Sequence, residues 1–178
     1  MSSFKRRHFL RALVAGGTML ILAGCFRPLH GPSITGEPMA QTLAAVDVPS
    51  WKLEGGKEYL GHVIRTELIS QLSGFGAYKD VPKRYRLQLG YSEVGATAHI
   101  DQVTSRADST VITGTLSLTL FEGSTVKFNG SVKSMVSFER TSQRFATLRA
   151  NRDAYARLGK ALAEEAKLSL SLFFATGR

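Results

Sequence analysis

Ile112-Thr113-Gly114-Thr115-Leu116-Ser117-Leu118-Thr119-Leu120 alternates between apolar and polar side chains. A period of two puts Ile112, Leu116, Leu118 and Leu120 on one face of an extended strand, and Thr113, Thr115, Ser117 and Thr119 on the other. Working outward, Glu122-Gly123-Ser124 reads as a short hairpin turn. Beyond it Val126, Phe128, Val132, Val136 and Phe138 alternate with Lys127, Asn129, Lys133 and Ser137. Upstream, after Pro82, Tyr85, Leu87, Leu89 and Tyr91 alternate with Arg84, Arg86, Gln88 and Ser92. That pattern loosens from Gly95 to Ile100, and the polar stretch from Asp101 to Ser109 reads as a turn. Three alternating strands joined by polar loops make an antiparallel meander with one wet face.

The flanks change period. From Lys57 onward, Leu60, Val63, Ile64, Glu67, Leu68 and Leu72 recur at helical spacing, while Glu58, Arg65 and Gln71 fall elsewhere. Ser73-Gly74 ends this helix, glycine supplying the usual left-handed C-terminal residue. Ahead of it, Leu43 to Val48 reads as a first strand ended by Pro49, and Gly55-Gly56 breaks the chain again. Behind the meander, Gln143 to Ala166 is alanine-rich and free of proline, with Ala154, Leu158, Leu162 and Ala166 in one stripe. Leu168, Leu170, Leu172 and Phe174 then alternate with serines, but no turn residue intervenes, so the expectation is continued helix. The predicted class is α+β: a two-layer sandwich of a mixed four-stranded sheet with two helices on one face, in the order β-α-β-β-β-α.

The N-terminus belongs to another kind of segment. Lys5, Arg6, Arg7 and Arg11 precede an apolar run, Ala12 to Ala23, of about a dozen residues, short of the ~20 that span a bilayer. A charged n-region, a short apolar core and small residues form a secretory signal, expected over 1–24. Leu22-Ala23-Gly24-Cys25 resembles the bacterial lipobox, which implies diacylglycerol on the Cys25 thiol. No other cysteine exists to form a disulfide. Residue Phe26, rather than Asp, follows the cysteine, which favours the outer membrane. Arg6-Arg7-His8-Phe9-Leu10-Arg11 also resembles a twin-arginine signal, and both export routes stay open. Residues 25–40, punctuated by Pro28, Pro32, Gly36 and Pro38, read as a lipidated flexible tether, and 41–178 as a single domain. The formal charge is +9, with four of the 23 Lys and Arg in the signal. The remaining excess favours anionic partners. In the cell envelope these are lipid phosphates or an acidic protein surface, not nucleic acid.

Catalytic chemistry is sparse. His30, His62 and His99 form no ligand pair at metal-binding spacing, so no metal or cofactor is expected. No Gly-x-Ser-x-Gly elbow appears. Gly74-Phe75-Gly76 follows a helix, whereas a phosphate loop precedes one, and Glu164-Glu165 falls on the exposed side of its helix. The chain does not read as an enzyme.

Several stretches resemble, in order, the LPS-assembly lipoprotein family (LptE), particularly its alphaproteobacterial members. Cys25-Phe26-Arg27-Pro28-Leu29-His30-Gly31 is similar to the family's start. Leu60-Gly61-His62-Val63-Ile64-Arg65-Thr66-Glu67-Leu68 resembles its first-helix motif, and Tyr85-Arg86-Leu87-Gln88-Leu89 its following strand. Gly130 to Phe138, then Ala146 and Arg152-Asp153-Ala154, resemble its last strand and second helix. The resemblance implies a periplasm-exposed outer-membrane lipoprotein that plugs an LptD-type β-barrel, assists its assembly and helps to insert lipopolysaccharide. Lipid A phosphates call for basic side chains, and Arg106, Lys127 and Lys133 are the lipopolysaccharide-binding candidates. The rival readings are an auxiliary lipoprotein of an envelope lipid transporter and a lipid-anchored hydrolase.

Overall fold

The structure is a computed structural model. It describes residues 36–101 and 106–177, apart from the side chains of 97–101 and 106–108. Its elements are α1 (Met39–Ala44), β1 (Val46–Asp47), α2 (Glu58–Leu72), β2 (Tyr85–Asp101), β3 (Arg106–Glu122), β4 (Thr125–Glu139) and α3 (Arg144–Thr176). They form a four-stranded mixed sheet in the order β1-β2-β3-β4, with β1 parallel to β2 and the other pairs antiparallel.

The meander closes in the register that its alternation demands. Leu87 lies beside Leu120, which lies beside Phe128; Leu89 lies beside Leu118; Tyr91 lies beside Leu116, which lies beside Val132. A slip of one residue would turn this whole apolar set to water, which fixes the pairing. Leu87, Leu116, Leu118 and Leu120 are fully buried under α2 and α3. The helices contribute Leu60, Ile64, Leu68 and Leu72, and then Ala154, Leu158, Leu162, Ala166, Leu170 and Phe174. They approach closely at Gly159, where an added Cβ would lie 2.8 Å from Val63 Cγ1. The α3 helix runs unbroken through Leu168–Phe174, and Gly177 (φ 74°) caps it in the left-handed conformation.

Four expectations need correction. Leu43 and Ala44 are helical, so the first strand shrinks from Leu43–Val48 to Val46–Asp47 and the helices number three among the described residues. A short apolar run is compatible with either state, and here the turn of α1 buries Met39 and Leu43 in the core. The expected tether therefore ends before Met39. The predicted turn from Asp101 to Ser109 is mostly ladder, since Asp101 pairs with Arg106 and His99 with Ser109. Gln71 is buried rather than outward, its amide donating to Glu67 Oε1 at 3.0 Å. The signal segment, Cys25 and His30 lie outside the described residues.

Candidate functional site

The sheet face opposite the helices is uncovered. Rows of short polar side chains cross it: Gln88, Thr119 and Asn129; Gly90, Ser117 and Ser131; Ser92, Thr115 and Lys133. Val94 and Met135 interrupt it, at 72% and 69% exposure, and near the hairpin end the Phe121 ring lies on it, 5.1 Å from the Arg86 guanidinium. Charge is sparse here: Arg86 and Lys133 stand on this face, and the carboxylate of Glu139 falls at the last residue of β4.

These positions do not gather the predicted binding set. Lys127 sits at the β3–β4 hairpin end, beside an irregularity in the ladder, and its ammonium lies 3.0 Å from Glu122 Oε2. Arg84 reaches the same carboxylate at 2.6 Å, and the hydrogen bonds from both cations hold Glu122 below the usual carboxylate range. Lys133 lies across from Thr115. Arg106 begins β3 at the opposite end of the sheet, and its side chain lies outside the described residues. Counted along β3 at ~3.3 Å per residue, Arg106 is about 30 Å from Lys133 and about 45 Å from Lys127. One phosphate group cannot bridge such gaps.

Another basic cluster forms where β4 hands over to α3. There the chain Arg140-Thr141-Ser142-Gln143-Arg144 folds back against Thr110 and Phe138, leaving a cleft of about 650 Å³. Thr147 Oγ1 ties the turn by donating to Thr141 O at 3.0 Å and accepting from Thr141 N–H at 3.0 Å. The cleft offers two guanidinium groups, the hydroxyl of Ser142 and the side chain of Leu148. Phe145 and Leu148 stand 84% and 67% exposed, and neither Arg140, Arg144 nor Arg149 belongs to an ion pair among the described residues. Guanidinium forks suit phosphate oxygens, and exposed apolar side chains beside them suit an amphiphile. Sequence reasoning missed this cleft. Its signal was a pair of arginines four residues apart, bracketing a helix start.

One half-buried carboxylate is structural. Glu93 receives Lys57 Nζ at 2.6 Å, the Tyr91 hydroxyl at 2.7 Å and the Tyr155 hydroxyl at 3.2 Å. This joins β2 to α3 and to the residue that opens α2. Burial and the adjacent carboxylate push both phenols up. Among the described residues no cluster of His, Cys, Asp and Glu could hold a metal ion, and no helix is long and apolar enough to cross a membrane.

No protein-family model matches the chain, and no curated protein does. Solved structures do match. A Caulobacter crescentus protein described as a lipoprotein shares 18% identity over 78% of this chain and 96% of its own, with a TM-score of 0.59. The rare lipoprotein B from Shewanella oneidensis shares 13% identity over 71% and 93%, with a TM-score of 0.51. At such identities the likeness is one of fold. The α+β sandwich of this chain is one that proteins named as bacterial lipoproteins also adopt.

Proposed function

We propose that this chain is a non-enzymatic, lipid-anchored outer-membrane protein that plugs an LptD-type β-barrel, assists its assembly and helps to deliver lipopolysaccharide to the outer leaflet. The observation that carries the reading is the uncovered sheet face. It is hydroxyl-rich and sparsely charged, and the inside of a large membrane barrel is polar and wet. The lipobox-like Cys25 and the ordered family motifs support it, as does a fold shared with bacterial lipoproteins. Within this reading, the Arg140–Arg144 cleft takes the place of Arg106, Lys127 and Lys133 as the seat for lipid A phosphates.

Affinity purification of the full chain from detergent-solubilised outer membranes tests the partner. A photo-crosslinker at Ser117 should trap a large β-barrel. Recovery of an inner-membrane transporter instead would favour the auxiliary role, and turnover of esters would favour a hydrolase. For the ligand, Arg140→Glu with Arg144→Glu should weaken lipopolysaccharide binding at least tenfold, because hydrogen bonds to charged groups are worth about 1.5–3 kcal/mol each. The melting temperature should hold, since both side chains are exposed. Unchanged binding in that double variant, with a loss in Lys127→Glu and Lys133→Glu, would return the site to the sheet face.

A further inference from the structure

The turn after α2 carries an aromatic side chain for which the fold has no use. Gly74, Phe75 and Gly76 are all left-handed, with φ of 60°, 56° and 91°. Glycine adopts that conformation freely, but a bulky side chain is rarely held there. Phe75 is pinned all the same: its N–H donates to Ser70 O at 2.7 Å, and Gly76 N–H donates to Ser73 Oγ at 3.3 Å. Tyr78 N–H closes the turn on Ser73 O at 3.0 Å. The ring is 78% exposed.

Its place in the molecule points to what covers it. Ala77 and Tyr78, just past the tip, share a pocket with Glu37 and Gln41, close to where the described chain begins. Gly36 follows Cys25 by eleven residues, a span of at most ~40 Å when fully extended. The same end of the domain holds the end of α3, where the Phe174 ring lies 5.1 Å from that of Tyr85, and the β3–β4 hairpin. Leu172 (54%) and Val126 (51%) are exposed there, and Lys79 is exposed beside the turn, next to Asp80. An exposed aromatic tip with aliphatic side chains at the same end and one lysine beside it is the make-up of a membrane-interface contact. A bilayer held by the tether is also present at high effective concentration.

We propose that Phe75 seats in the headgroup–acyl boundary of the bilayer that anchors Cys25, setting the domain end-on, with the Arg140–Arg144 cleft pointing away. This rests on the lipid-anchor part of the proposed function and not on the barrel or the lipopolysaccharide. The test uses the full acylated chain in vesicles of phosphatidylethanolamine and phosphatidylglycerol, some brominated high on the acyl chain. In a Trp51→Phe background, Phe75→Trp should shift its emission to the blue and lose most of it to the brominated lipid. Phe145→Trp should stay unquenched. As a second route that leaves Trp51 in place, a nitroxide on Phe75→Cys should be accessible to oxygen and shielded from aqueous nickel, because acylation blocks Cys25. Fatty-acid labelling of the same preparation, lost in Cys25→Ala, checks the anchor separately. A fatty-acid-labelled Phe75→Trp protein whose emission is unquenched, or is quenched no more than that of Phe145→Trp, overturns the end-on seat. A protein without label overturns the anchor itself.

Discussion

At Gly159 a missing methyl group decides how near two helices come. Alanine favours helix over glycine by about 1 kcal/mol, so propensity alone predicts that Gly159→Ala stabilises. Sterics oppose it. The new Cβ would stand 2.8 Å from Val63 Cγ1 and 3.2 Å from Val63 Cβ, and a β-branched side chain in a helix has little rotamer freedom to yield. Overpacking of this kind costs about 1–3 kcal/mol. Gly159→Ala should therefore lower the midpoint of chemical denaturation, and Val63→Ala in the same chain should recover part of the loss. Glu93 yields a prediction in pH. Burial on its own would raise its pKa, but the hydrogen bonds from Lys57, Tyr91 and Tyr155 outweigh that and hold it below the ordinary glutamate range. A depressed folded-state pKa gives stability that is complete above the unfolded value of ~4.3 and is lost as pH falls through the folded value. The melting temperature should drop across that acid range, and Glu93→Gln should flatten the drop. Neither residue announced itself in the sequence. Gly159 lies in a helix without a break, and Glu93 lies in a strand whose alternation was fading.

Among the elements, legibility followed burial. Leu116, Leu118 and Leu120 pair a buried face with a wet one, so their alternation could be read directly. The outer parts of β2 and β3 lack that contrast: Val94, Gly95 and Ala96 are all exposed, and the backbone ladder runs on to Asp101 and Arg106. A ladder whose sequence does not alternate apolar with polar residues leaves no trace in hydropathy, hence the expected turn there. The β4–α3 cleft was illegible for a related reason. Thr110 reaches the Arg140–Arg144 turn only through its pairing with Phe138, which no local pattern encodes. The α3 helix itself is uneven. Its 33 residues include no buried side chain ahead of Ala154. Amides at 148–152 should exchange with deuterium far faster than those at 158–170, because helix without tertiary packing opens locally. Equal protection along α3 would mean that something else covers its first turns.

The two ends of the described domain are unlike. The α3 helix alone measures about 50 Å. Exposed apolar side chains around the Phe75 turn mark one end, and Arg140 and Arg144 mark the other. The domain's first described elements are α1 and β1, whose Met39, Leu43 and Val46 pack into the core. The two residues of β1 pair with Tyr85 and Arg86, and Lys83 Nζ clamps the corner by donating to Ala44 O at 2.7 Å and Val46 O at 3.2 Å. This corner behaves as a mechanical fuse. Tension arriving through the chain ahead of Gly36 meets one helical turn and two strand pairs, which give way one after another. The β2–β3 ladder has to fail as a block along its whole length. Stretched between its termini, the domain should release the residues before Pro49 in a first, low-force step and keep the meander intact until a second. A single rupture would show that the corner is as strong as the sheet it guards.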